Sequence, residues 1–118
     1  PRHRQMFAFY RECLRLRREI KPLTLASKTN TLVWASKQTA TLAMRRCHEG
    51  EYVLLLCNLH PEKKRDVDMR LFNGAGNWTK LLESTDTAWH GPGAAAPENA
   101  KAAVRLLPHA AALYHAKE

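Results

Sequence analysis

Glu51-Tyr52-Val53-Leu54-Leu55-Leu56-Cys57-Asn58 is the stretch on which the fold turns. Its centre, Val53 to Cys57, is the longest unbroken apolar run in the chain, far short of the roughly 20 residues a helix needs to cross a bilayer. A strand with one wet side alternates apolar and polar residues. A run apolar at every position instead reads as a strand set centrally in a sheet, covered above and below.

Working outward, the neighbouring segments carry the two-residue period of half-buried strands. In Thr39 to Arg45, the residues Ala40, Leu42 and Met44 alternate with Thr39, Thr41 and Arg45, predicting one dry and one wet face. Thr31 to Ala35 and Leu23 to Ala26 are short runs of β-branched, aromatic and aliphatic residues and read as strands too. Downstream of the polar loop Pro61 to Lys64, Val67, Met69 and Leu71 point one way and Asp66, Asp68 and Arg70 the other. Asn73, Gly74 and Gly76 mark a turn before a strand at Trp78 to Glu83, and Trp89 to Gly93 reads as irregular. The tail is ambiguous on pattern alone. Its alanines favour helix by propensity, while Val104 to Leu107 and Ala111 to Tyr114 fit closing strands divided by Pro108.

Before Pro22 the period is different. Met6, Phe9, Cys13, Leu16 and Ile20 recur at steps of three and four, predicting an amphipathic helix over Gln5 to Ile20 that ends at the proline. A second apolar row, Phe7, Tyr10 and Leu14, lies beside the first, so the arc is wider than one small sheet needs to cover. Leaving such side chains in water forfeits roughly 1.5–3 kcal/mol each, which predicts a second packing surface against Met6, Phe7, Phe9, Tyr10 and Leu14. The fold class expected is mainly β: an antiparallel sandwich of about seven to eight short strands behind one N-terminal helix.

Composition narrows the function. The chain has 118 residues, enough for one domain, and a formal charge of +8. Much of that excess sits on residues 1–21, in Arg2, Arg4, Arg11, Arg15, Arg17, Arg18 and Lys21 against Glu12 and Glu19; the rest is nearly balanced, which argues against a nucleic-acid partner. Cys13, Cys47 and Cys57 are odd in number and form no CxxC pair, as expected of free thiols in a reducing, cytoplasmic setting. The opening residue, Pro1, is no initiator methionine, so the natural protein is expected to begin upstream.

Chemistry-bearing patterns are sparse. Cys47, His48 and His60 have no familiar zinc spacing, and Asp86 with His90 lacks an accompanying nucleophile. Asn77-Trp78-Thr79 fits the short glycosylation pattern, which matters only in a secretory setting. No catalytic, cofactor or metal residue is expected. Of the tryptophans, Trp34 reads as core, while Trp89, in a Gly-Pro loop, and then Trp78 are the candidate carbohydrate contacts, since a flat ring with a polar edge suits a sugar face.

Some of these stretches are also familiar. Leu14-Arg15-Leu16-Arg17-Arg18-Glu19 followed by Pro22, and then Tyr52 through Leu59, resemble glycoside hydrolase family 13, where the last helix of a catalytic (β/α)8 barrel runs into a C-terminal β-sandwich. Leu81-Leu82, Ser84 and Asp86, with Trp89, Gly91, Pro92 and Gly93, then Leu107-Pro108 and Tyr114, are similar to the ends of malto-oligosyltrehalose trehalohydrolases and, less closely, of glucan branching enzymes. The resemblance implies strands in the tail. It implies that residues 1–21 complete a barrel lying outside this chain and that 22–118 form the sandwich domain. The barrel would hold both catalytic carboxylates, leaving this chain without a catalytic residue, and the parent would release trehalose from malto-oligosyltrehalose. A starch-binding module contacting an α-glucan oligosaccharide is the alternative expectation.

Overall fold

A computed structural model describes residues 2–24, 30–72 and 77–117. The chain opens with helix α1 (Arg2–Glu19) and a short helical turn, α2 (Lys21–Thr24). Eight strands follow: β1 (Thr31–Ser36), β2 (Thr41–His48), β3 (Glu51–Asn58), β4 (Arg65–Asp68), β5 (Trp78–Glu83), β6 (Asn99–Ala100), β7 (Ala103–Leu106) and β8 (Ala111–Lys117). Six of them form one antiparallel sheet in the order β1-β2-β3-β8-β5-β6, and β4 pairs with β7 in a small second sheet. The protein is a mainly β, sandwich-like domain with one N-terminal helix, and the tail forms strands.

Strand β3 runs through the middle of the large sheet and is covered on both sides. Leu54 and Leu56 face the small sheet and enter a core with Trp78, Tyr114, Val104 and Leu106, all almost wholly buried. Val53, on the opposite face, packs with Leu113 beneath Leu16 of α1. Asn58 ends the strand inside the protein. Its side-chain amide donates to the carbonyls of Lys63, Leu106 and Leu107, and its carbonyl oxygen accepts from the amide of His60, which satisfies a buried polar group and ties the β3–β4 loop to β7.

Three segments depart from the sequence pattern. Leu23 and Thr24, expected in a strand, continue the helical path, while Leu25 and Ala26 lie outside the described residues. Proline is tolerated in a first turn because its missing N–H would have no partner there; the Ile20 carbonyl accepts from Leu23 and Thr24 instead, and Pro22 is buried. The strand expected to run to Leu71 stops at Asp68, whose carboxylate accepts from the Arg70 amide at 2.9 Å and starts a 3-10 turn over Met69–Leu71, burying Met69 and exposing Leu71. In β2 the drier face is that of Ala43, and Ala40 falls in the preceding turn. The reason is aromatic: Trp34 packs edge-on to Phe72 at 4.9 Å, and the Arg45 guanidinium lies over the Trp34 and Tyr52 rings, so the supposed wet face is covered.

Candidate docking surface

Helix α1 turns its wide apolar arc to two different surroundings. Leu16 is buried at 2% exposure against Val53 and Leu113, with Ile20, Leu23, Leu55 and Leu82 around them. Advancing about 100° per residue, the arc continues over roughly half the helix, and this second half stays open. Met6 is 51% exposed, Phe7 63%, Tyr10 60% and Leu14 59%. Phe9, at the border, is half-buried.

What holds Phe9 is a compact loop after β5. The Asp86 carboxylate accepts from the Ala88 amide at 2.9 Å, and its carbonyl accepts from Trp89 and Gly91. His90 takes a left-handed conformation at φ 65°, and a Cβ on Gly91 would stand 2.0 Å from the Thr85 carbonyl oxygen, so only glycine fits there. This loop delivers Trp89 edge-on to Phe9 with ring centroids 5.4 Å apart. Trp89 Nε1 is buried and has no hydrogen-bond partner among the described residues. Beside it, Met6, Phe9, Tyr10, Ser84, Trp89 and His90 line a hollow of about 300 Å³.

A larger groove of about 540 Å³ separates α1 from the sheet. Its walls are largely apolar, with Phe9, Leu16, Leu55 and Leu82 among them, and Arg17 and Arg46 also line it. The Nε of Arg46 is buried with no hydrogen-bond partner among the described residues. Both glutamates of α1 are engaged by a single residue, Arg15, which lies on the helix side away from the open arc.

The other residues singled out from sequence fall elsewhere. Trp78 is 1% exposed and packs edge-on to Tyr52 in the core, so it has no open face for a sugar ring; the β5 pleat turns it inward beside Ala100. Trp34 packs on the core as expected. The three cysteines are free thiols, and among the described residues no group of three His, Cys, Asp or Glu side chains could hold a metal ion. No helix among those residues is long and apolar enough to cross a membrane.

Sequence reasoning missed one buried ionic cluster. Lys80 and Glu83 are joined at 2.7 Å with side chains 5% and 0% exposed, and the carboxylate also accepts from the amides of Ala95 and Ala96 and from Thr85. Burial pushes the Glu83 carboxyl up, but Lys80 and the two amides outweigh it and hold it below the usual carboxylate range. Lys80 is likewise desolvated, yet Glu83 and Glu98 keep its ammonium above the ordinary lysine range. Tyr114, its phenol pushed up by burial and by these carboxylates, donates to the Pro97 carbonyl at 2.6 Å. The cluster pins the segment before β6 to the sheet.

No family model matches the chain, and no curated protein does. Solved structures do. Trehalulose synthase MutB from Pseudomonas mesoacidophila MX-45 is 23% identical with a TM-score of 0.68, the match covering 94% of this chain and 18% of that one. Bacillus licheniformis trehalose-6-phosphate hydrolase, TreA, is 18% identical with a TM-score of 0.65, over 92% of this chain and 18% of the other. The likeness is one of fold. It extends over nearly all of this chain, helix included, and over less than a fifth of the enzymes that carry it.

Proposed function

We propose that this chain is the non-catalytic C-terminal region of an α-glucan-active glycoside hydrolase of family 13, in which the open face of α1 packs against the catalytic barrel of the same polypeptide. Residues 1–21 belong with the barrel in this reading, and 22–118 form the sandwich. The observation that carries it is the contiguous exposure of Met6, Phe7, Tyr10 and Leu14 on a helix whose other face is already packed. The match of nearly the whole chain to short portions of two longer enzymes supports reading it as one region of a larger polypeptide. The finer assignment is release of trehalose from malto-oligosyltrehalose by the parent enzyme, in the cytoplasm. The test is to assay the purified chain and the full polypeptide with malto-oligosyltrehalose. Trehalose is expected from the full polypeptide alone; turnover by the 118-residue chain would overturn the reading.

A second reading, contact with an α-glucan oligosaccharide at Trp89, is favoured by the hollow that Trp89 shares with Tyr10 and His90. Calorimetry with a maltooligosaccharide tests it, with heat expected for the native chain and lost in Trp89→Ala. No heat at millimolar sugar would remove it.

A further inference from the structure

We infer that the surface covering the open arc of α1 is an apolar patch rimmed by carboxylates, carried by the same polypeptide and set opposite Arg11, Arg17 and Arg46. This rests on the reading of the arc as a docking face and adds what the partner must be made of. Three observations point to it.

First, the open arc is apolar along Met6, Phe7, Tyr10 and Leu14, and basic beside Phe7 and about two turns beyond Tyr10, toward the end of the helix. Arg17 falls between Met6 and Tyr10 around the helix, and Arg18 and Arg11 border Phe7, with the Arg11 guanidinium lying over the Phe7 ring. Second, α1 cannot neutralise these cations itself. Glu12 and Glu19 are both held by Arg15, and among the described residues Arg11, Arg17 and Arg18 enter no ion pair. Third, the groove that runs on from the arc holds Arg17 and Arg46, and the buried Nε of Arg46 has no hydrogen-bond acceptor there. Covering that groove with an uncharged surface would take the two arginines that line it out of water with no counter-charge, where an unpaired charge is strongly unfavourable. A carboxylate removes the conflict by pairing with the guanidinium fork. A second copy of the chain does not, because face-to-face packing sets Arg11, Arg17 and Arg18 against arginines.

The sign of the salt dependence separates these occupants, since added salt screens attraction and repulsion alike. In the full polypeptide, amide hydrogen exchange of α1 is expected to be at least roughly tenfold slower than in the isolated chain at low salt. It should quicken as salt rises. Arg11→Glu with Arg17→Glu should abolish most of that protection, and Lys101→Glu, on the turn after β6, should leave it intact. Tyr10→Asp tests the docking face itself. If Tyr10→Asp releases the helix and the arginine reversals do not, docking stands and the acidic rim is overturned. If neither releases it, the docking reading falls and this inference with it. Sedimentation of the isolated chain tests the remaining occupant: a dimer that strengthens with salt would identify a second copy and overturn the proposal.

Discussion

The two faces of the six-stranded sheet are built from the same strands and finished differently. The face toward β4 and β7 is closed: Trp78, Tyr114, Leu54 and Leu56 are almost wholly buried, and the Tyr114 hydroxyl and the Asn58 amide are hydrogen-bonded. The face toward α1 is closed only along Leu16, Val53 and Leu113, and a groove with two arginines remains beside it. Stability of the isolated domain therefore rests on the first face, and the second is the one beside which Met6, Phe7, Tyr10 and Leu14 stay open.

That contrast can be broken most directly at its closed side. Trp78→Ala removes the largest fully buried side chain and is expected to cost about 4 kcal/mol in denaturant unfolding, with a cavity left among Tyr52 and Ala100. Glu83→Gln removes the nearer counter-charge of Lys80, which keeps Glu98 and the Ala96 carbonyl, and weakens two backbone contacts, for an expected loss of about 2 kcal/mol. The same carboxyl gives a pH signature. Because its folded pKa is depressed, its contribution is present above the ordinary carboxylate value of 4.5 and is lost as pH falls through the lower folded value; that acid-side loss should be reduced in Glu83→Gln when unfolding is followed across pH. At the seam with the helix, Leu16→Ala should cost about 2 kcal/mol, since part of its surroundings is already a groove. On the open arc, Leu14→Ser should change the stability of the isolated chain by less than about 0.5 kcal/mol, while in the full polypeptide it should loosen α1, read as faster amide exchange. Equal costs for Leu14→Ser and Leu16→Ala in the isolated chain would erase the distinction between the faces.

How far the sequence reveals these features depends on whether the decisive interaction is local. The all-apolar run at Val53 to Cys57 announced a doubly covered strand because burial on both sides leaves no polar position. The two apolar rows of α1 announced a helix with more to bury than one sheet could take, and Met6, Phe7, Tyr10 and Leu14 do stand open. Trp78 and Trp89 look alike in sequence but differ in surroundings: the β5 pleat turns one inward, and the Asp86–Gly91 loop turns the other onto Phe9. The Lys80–Glu83 pair was hidden for a related reason. Residues three apart on a regular strand face opposite sides, and only the register shift between Lys80 and Leu82 brings both to one side. Asp68 likewise ends β4 through a side-chain contact with Arg70 that the alternation of Val67, Met69 and Leu71 conceals.

The strand order carries a consequence for biosynthesis. Strand β8 lies between β3 and β5, so the large sheet stays in two pieces until residues 111–117 have left the ribosome. Hairpins β1–β2–β3 can form early, but Leu54 and Leu56 wait for Tyr114 and Ala112 as their neighbours on the inner face. A nascent chain stopped a few residues short of β8 would expose both edges of that gap to other unfinished chains, which makes this strand the step at which the domain commits to its native form.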